Sequence, residues 1–178
     1  AGVRAVPFTR ELYIDADDFA EVPPPKFFRM KPDGEVRLKY TYIIKCNEIV
    51  KDADGNVVEL KCTYDPSTRP GSGEWRSVKG TIHWVSAAHA KEVELRLYDK
   101  LFTEPEMGSI PEGKDYKEYL NPDSLKVTSG FAEPALLEDN SGLAVQFERV
   151  GYFFKDLDST PEHFVFNKTT ALKDSFKF

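Results

Sequence analysis

Between Glu35 and Tyr64 the chain reads as extended structure folded back on itself, and this feature restricts the fold more than any other. Val36, Leu38, Tyr40 and Tyr42 alternate with Arg37, Lys39 and Thr41. That period of two places apolar side chains on one face of a strand and polar ones on the other. The run continues to Val50 and meets Asp52-Ala53-Asp54-Gly55-Asn56, and an Asp-Gly pair between β-rich flanks is the strongest short hairpin signal. Val57 to Tyr64 then supplies the return strand.

A second β signal runs from Val78 to Phe102. Val93, Leu95 and Leu97 alternate with Glu94, Arg96 and Tyr98, and Thr81, Ile82, Trp84 and Val85 also suit a sheet. The connector Ser86-Ala87-Ala88-His89-Ala90 is too small to anchor a core and too short for a stable helix, so the stretch predicts a β pair. Further short strands are expected at 10–15, 125–128, 144–149, 152–155, 164–167 and 170–173, with a helical turn at 17–19 and a short helix at 115–120. Val22-Pro23-Pro24-Pro25 forces an extended path and predicts a boundary between two modules. Many short strands with Pro and Gly turns predict an all-β chain of barrels or sandwiches.

Composition narrows the function. The 178 residues are 40% hydrophobic and 13% aromatic, enough for a packed core. A net charge of −6 gives no overall attraction to nucleic acid or anionic lipid, so an RNA partner would need a local basic patch. No apolar run approaches the ~20 residues of a membrane-spanning helix, and no secretory signal opens the chain; no membrane or DNA partner is expected, and the cytoplasm is the expected compartment. Ala1-Gly2 at the start, with Met30 and Met107 the only methionines, predicts a piece of a longer protein.

Catalytic and metal motifs are not found. Cys46 and Cys62 lack the C-x-x-C spacing of a zinc site and read as small strand residues in a reducing compartment. His83 and His89 have no third ligand nearby in sequence, His163 sits in a polar stretch, and Asp52 to Asn56 suits a hairpin rather than a calcium loop. Acidic pairs such as Glu133 and Glu138 are what thirty acidic residues produce by chance. The chain also lacks a Gly-x-Ser-x-Gly elbow, a phosphate-binding Gly-rich loop and an HExxH motif.

Basic and aromatic residues cluster more informatively. Lys26-Phe27-Phe28-Arg29-Met30-Lys31 sets three cations around two aromatics, and Arg37 and Lys39 share one strand face. Gln146 and Arg149 lie three apart, and Lys173 stands near the end. Guanidinium and amide groups beside aromatic rings suit splayed single-stranded bases, which are stacked upon and hydrogen-bonded along their edges.

Five blocks, in order, resemble the C-terminal anticodon-binding region of glutaminyl-tRNA synthetase: Pro7 to Asp15, Gly80 to Ser86, Glu94 to Asp99, Gly130 to Pro134 and Gln146 to Phe153. The resemblance implies two antiparallel β-barrels with a few short helices, the distal barrel (24–101) inserted in the proximal one (1–23 plus 102–178). Some proximal strands precede the matched region in the family, which implies an open sheet edge. By motif position, Arg29 resembles the arginine that reads the third anticodon base, a guanine whose O6 and N7 accept a forked pair of bonds. Gln146 and Arg149 resemble residues at the middle uracil, Arg37 and Lys39 fall where first-base contacts are expected, and Lys26 and Lys173 also match contact positions.

The chain departs from the family pattern at Phe28 (lysine expected), Lys26 (glutamine expected), and Lys39 and Lys173 (commonly arginine); a lysine cannot reproduce a guanidinium fork. The implied partners are the anticodon loop of tRNA-Gln and the catalytic domain of the same chain. ATP and magnesium would act in that catalytic domain, whose HIGH and KMSKS signatures are absent here, so no cofactor or catalytic residue is expected in this piece. Two alternatives stay open: the related region of eukaryotic-type glutamyl-tRNA synthetase, and a non-catalytic β-barrel module that binds RNA or protein.

Overall fold

The computed structural model describes residues 4–72, 76–138, 142 and 144–172. The chain divides into two compact units, one spanning Phe8–Ala88 and the other formed by the described residues up to Pro7 and from His89 onward. The first unit is thus inserted in the second. In both, the regular structure is mainly β-strand.

In the inserted unit, β1 (Leu12–Tyr13) is followed by β2 (Glu35–Leu38), β3 (Ile43–Lys51), β4 (Val57–Asp65), β5 (Thr81–Ile82) and β6 (Val85–Ser86). One sheet has the order β4-β3-β2-β5, and β1 pairs with β6 in a small ribbon. The Asp54-Gly55 hairpin forms as expected: Asp52 N–H donates to Asn56 O at 2.9 Å, and Gly55 takes φ +86°. Met30, Val36, Leu38, Ile44, Cys46, Ile82 and Trp84 fill the core, each large side chain contributing roughly 1.5–3 kcal/mol of transfer free energy. Phe8, Tyr42, Tyr64 and Trp84 add an aromatic cluster with Phe8 to Tyr42, Trp84 and Tyr64 centroid distances of 5.0, 5.5 and 5.7 Å.

The other unit carries β7 (Lys91–Tyr98), β8 (Leu125–Ala132), the short helix α1 (Pro134–Glu138), β9 (Val145–Phe147), β10 (Gly151–Lys155) and β11 (Phe164–Ala171). Its sheet has the order β8-β7-β11-β10-β9. Val93, Ala132, Phe153 and Phe166 are the buried centre, with Phe147 stacked on Phe153 at 4.4 Å. Val93, Leu95 and Leu97 pack toward that centre, as their alternation requires.

Several sequence expectations change. The extended run from Glu35 to Val50 is two strands, because a turn closed by Thr41 N–H to Leu38 O (2.9 Å) interrupts it. The β pair expected within 78–102 does not form: β7 pairs with β8 and β11, whereas β5 pairs with β2 and β6 with β1. The boundary lies in the small-residue connector at Ala88/His89 and at Pro7/Phe8, not at 24 and 101. The proline stretch is no boundary because the segments on either side of it are tied together, with Met30 N–H donating to Asp18 O at 2.9 Å and Ala20 N–H to Met30 O at 3.1 Å. The sheets are not purely antiparallel, since β2–β5 and β7–β11 are parallel. Among the described residues the pairing gives open sheets; the all-β class holds. Cys46 and Cys62 face each other across the β3–β4 ladder as free thiols.

Candidate nucleic-acid interface

In the inserted unit, most residues from Pro23 to Lys31 line a cleft of about 460 Å³, with Glu35, Lys79 and Gly80 also bordering it. Its approach is set by Gly80: a Cβ there would stand 2.5 Å from Phe28 O and 2.9 Å from a Val36 methyl, so only glycine lets these backbones meet. Lys26, Arg29, Lys31 and Lys79 line the cleft together with Phe27 and Phe28. Phe28 is 52% exposed, with the Lys79 ammonium 5.6 Å from its ring centroid. Despite the net charge of −6, the cleft gathers four cationic side chains and two phenylalanines beside a single carboxylate, Glu35.

Arg29 is held from behind. Its Nη1 donates to Asp17 O at 2.9 Å and lies 3.2 Å from the carboxylate of Asp18, a side chain with no exposure. Among the described residues no bond engages Nε or Nη2, and 40% of the side chain is exposed. The buried carboxylate therefore fixes one end of the guanidinium and leaves Nε and Nη2 as a two-donor edge. That edge matches paired acceptors such as guanine O6 and N7. The Asp18 role was not legible in the sequence, where Asp17 and Asp18 read only as residues opening a helical turn.

Glu35 is neutralised by a fork, accepting from Arg76 Nη1 at 2.8 Å and Nη2 at 2.9 Å. These bonds hold its carboxyl below its ordinary value of 4.5. A carboxylate whose folded pKa lies below its unfolded one stabilises the fold at pH above the unfolded value and loses that contribution as pH falls through the folded one. Comparison of Glu35→Gln with the parent in thermal melts should show a lower melting temperature for the variant at neutral pH. The gap should close as pH is taken below 4.5. Both partners are well exposed, so the gap is small.

Arg37 requires a correction. It is 7% exposed, and its guanidinium donates to Thr41 O (2.7 Å), Thr68 O (2.9 Å) and Arg76 O (2.9 Å). Consumed by backbone carbonyls, it cannot also read a base in this conformation. Lys39, expected on the same strand face, lies instead in the turn after β2 and is half-buried, with its ammonium 5.3 Å from the Tyr40 ring centroid. Val36, Arg37 and Leu38 are all buried, so the face that alternation assigned to solvent is covered, with Thr68 and Arg76 meeting the Arg37 guanidinium there.

In the other unit, Gln146 and Arg149 come together on one hairpin. Gln146 is exposed on β9 opposite Tyr152 of β10, and Arg149 is exposed in the connecting turn. Lys173 lies outside the described residues. His83 is half-buried and His89 exposed, and among the described residues no group of three potential metal-binding side chains occurs.

Lys26, Asp33, Tyr40 and Arg149 share an unusual backbone, with φ of +64°, +55°, +63° and +70°. Each is the third residue of a four-residue turn closed by an i to i+3 bond: Phe27 N–H to Pro24 O, Gly34 N–H to Lys31 O, Thr41 N–H to Leu38 O and Val150 N–H to Phe147 O. Glycine or asparagine is the usual occupant of that position when φ is positive. Two of the four are expected contact residues, and a third, Tyr40, adjoins Lys39. Strained backbone of this kind gathers at binding sites.

Two sequence profiles, both described as tRNA synthetases class I (E and Q), anti-codon binding domain, match residues 1–65 and 81–156. The chain is 52% identical over 176 residues to the glutamine–tRNA ligase of Nitrobacter hamburgensis, covering 98% of this chain and 31% of that protein. It is 52% identical over 177 residues to the glutamine–tRNA ligase of Pseudomonas putida, with 98% and 31% covered. For that of Rhodopirellula baltica the identity is 49%, with 99% and 30% covered. The chain therefore spans about a third of the length of these relatives.

Proposed function

This chain belongs to the anticodon-binding domains of the class I tRNA synthetases for glutamate and glutamine, and we propose that it binds the anticodon loop of tRNA-Gln as part of a cytoplasmic glutamine–tRNA ligase. The activity of the whole enzyme, attachment of glutamine to tRNA, would reside in a catalytic domain of the same chain that uses ATP and magnesium. The observation that carries the reading is the basic cleft lined by Phe27 and Phe28, with Arg29 braced by buried Asp18. Unpaired bases turned out of the loop present both a stacking face and a hydrogen-bonding edge, the two things such a cleft offers.

Arg29 is assigned to the third base and Gln146 with Arg149 to the middle one; Lys26, Lys39 and Lys173 are assigned to nearby base or phosphate contacts. Phosphate contacts add affinity that falls as salt rises. Fluorescence titration of anticodon stem-loops tests the choice of tRNA. The tRNA-Gln stem-loop should bind at least about tenfold more tightly than the tRNA-Glu one, about the discrimination expected of a single base contact. Preference for the tRNA-Glu stem-loop would overturn the glutamine assignment in favour of the glutamate enzyme.

A further inference from the structure

Tyr40 is an anomaly in the turn between β2 and β3. It holds φ +63°, a conformation that costs a side-chain-bearing residue roughly 1–2 kcal/mol and that makes a bulky residue an outlier. The residue is 71% exposed, so burial does not repay the strain. Asparagine or glycine would serve the turn better.

The turn is held to the core. Lys39 N–H donates to Ile82 O at 2.9 Å, and the indole Nε1 of Trp84, only 6% exposed, donates to Lys39 O at 3.0 Å. From beneath, the Arg37 guanidinium binds Thr41 O at 2.7 Å. A rigid support thus presents an aromatic ring to solvent, with the Lys39 ammonium 5.3 Å from its centroid. A ring beside a cation fits one chemistry well: a base stacks on the ring while the ammonium meets the phosphate of the same nucleotide.

We propose that Tyr40 is a stacking platform for an unpaired nucleotide of the bound RNA, a contact made in addition to the cleft around Arg29. The inference rests on the reading of the chain as a binder of an unpaired RNA loop. It explains why a residue unsuited to the turn occupies it: binding gains what folding loses. Because the turn is already tied to the core by hydrogen bonds, contact with the RNA costs side-chain freedom but little backbone freedom.

The test uses the 178-residue chain and anticodon stem-loops carrying 2-aminopurine at each loop position in turn, read by fluorescence quenching and by anisotropy. With the parent chain, one position should be quenched by stacking. Tyr40→Asn should remove that quench and weaken binding about tenfold, while its melting temperature stays equal to or above that of the parent because the turn is relieved. Tyr40→Phe should keep the quench and bind within about twofold. Tyr40→Leu keeps bulk and strain without a π face, so it should lose the quench even if the asparagine variant proves unstable.

Unchanged quenching and affinity in Tyr40→Asn and Tyr40→Leu would overturn the proposal and assign the exposed ring to another surface. A parent chain that binds no stem-loop would instead overturn the functional reading itself. The two failures are therefore distinguishable.

Discussion

Arg37→Ala should lower the melting temperature by about 10 °C, the largest stability loss expected from any single substitution at the interface. The side chain satisfies the carbonyls of Thr41, Thr68 and Arg76 at once, and a buried acceptor left without its charged donor costs roughly 1–3 kcal/mol. Losing these bonds and leaving a cavity amounts to about 3–5 kcal/mol, and about 1 kcal/mol shifts the melting temperature of a chain of this size by 2–4 °C. Thr68 carries the effect further. It is 1% exposed, accepts from Ile43 N–H at 2.9 Å and donates to Asp65 O at 2.6 Å, so the 66–68 segment and the start of β3 loosen together. Arg37→Lys should recover less than half of the loss, since one ammonium cannot span three carbonyls held by two guanidinium nitrogens. Thermal melts with stem-loop titrations check both points. A base-reading role instead predicts unchanged melting with weakened RNA binding.

Arg29→Lys should do the opposite. The ammonium keeps a charge for buried Asp18, so the melting temperature should stay within about 3 °C of the parent. The forked edge is lost, however, and a good bidentate contact is worth roughly 1–3 kcal/mol of discrimination. Affinity for the tRNA-Gln stem-loop should fall about tenfold or more. The clearer sign is specificity: replacing the third anticodon guanine by adenine should weaken binding to the parent strongly and to the variant hardly at all. Arg29→Ala is less informative, because it also strips the partner from a fully buried carboxylate and destabilises the fold. Equal discrimination by parent and Arg29→Lys would remove Arg29 from base reading.

The all-β class was legible because alternation and turn chemistry agree locally. The β3–β4 hairpin follows from Asp54-Gly55, and the inward face of β7 follows from Val93, Leu95 and Leu97. The turn at Lys39-Tyr40 was hidden for the opposite reason. Tyr40 holds a positive φ without the glycine or asparagine that would announce it, and Tyr42 continues the alternation across the break. Arg37 was misread because a period of two assigns it to solvent, while β2 is covered on both faces by segments far away in sequence. Asp18 was missed because a single aspartate carries no sign of burial.

The candidate site was legible as composition and only partly as geometry. The Lys26 to Lys31 cluster does line a cleft, but Lys79 and Gly80 line it too, and periodicity cannot bring them near. Gln146 and Arg149 were expected on one strand at 144–149; the strand ends at Phe147, and Arg149 lies in the turn to β10. The unit boundary escaped because prolines signal an extended path, not a loss of contacts, and the bonds joining Asp18, Ala20 and Met30 hold that path within one unit.

Hydroxyl-radical footprinting of full-length tRNA-Gln bound to this chain tests the central claim most directly. Protection should be confined to the anticodon loop and the stem beside it, it should weaken with rising salt, and it should fade at the third anticodon position with Arg29→Lys. Protection centred on the acceptor stem, or spread evenly along the tRNA and unchanged by that substitution, would contradict the account.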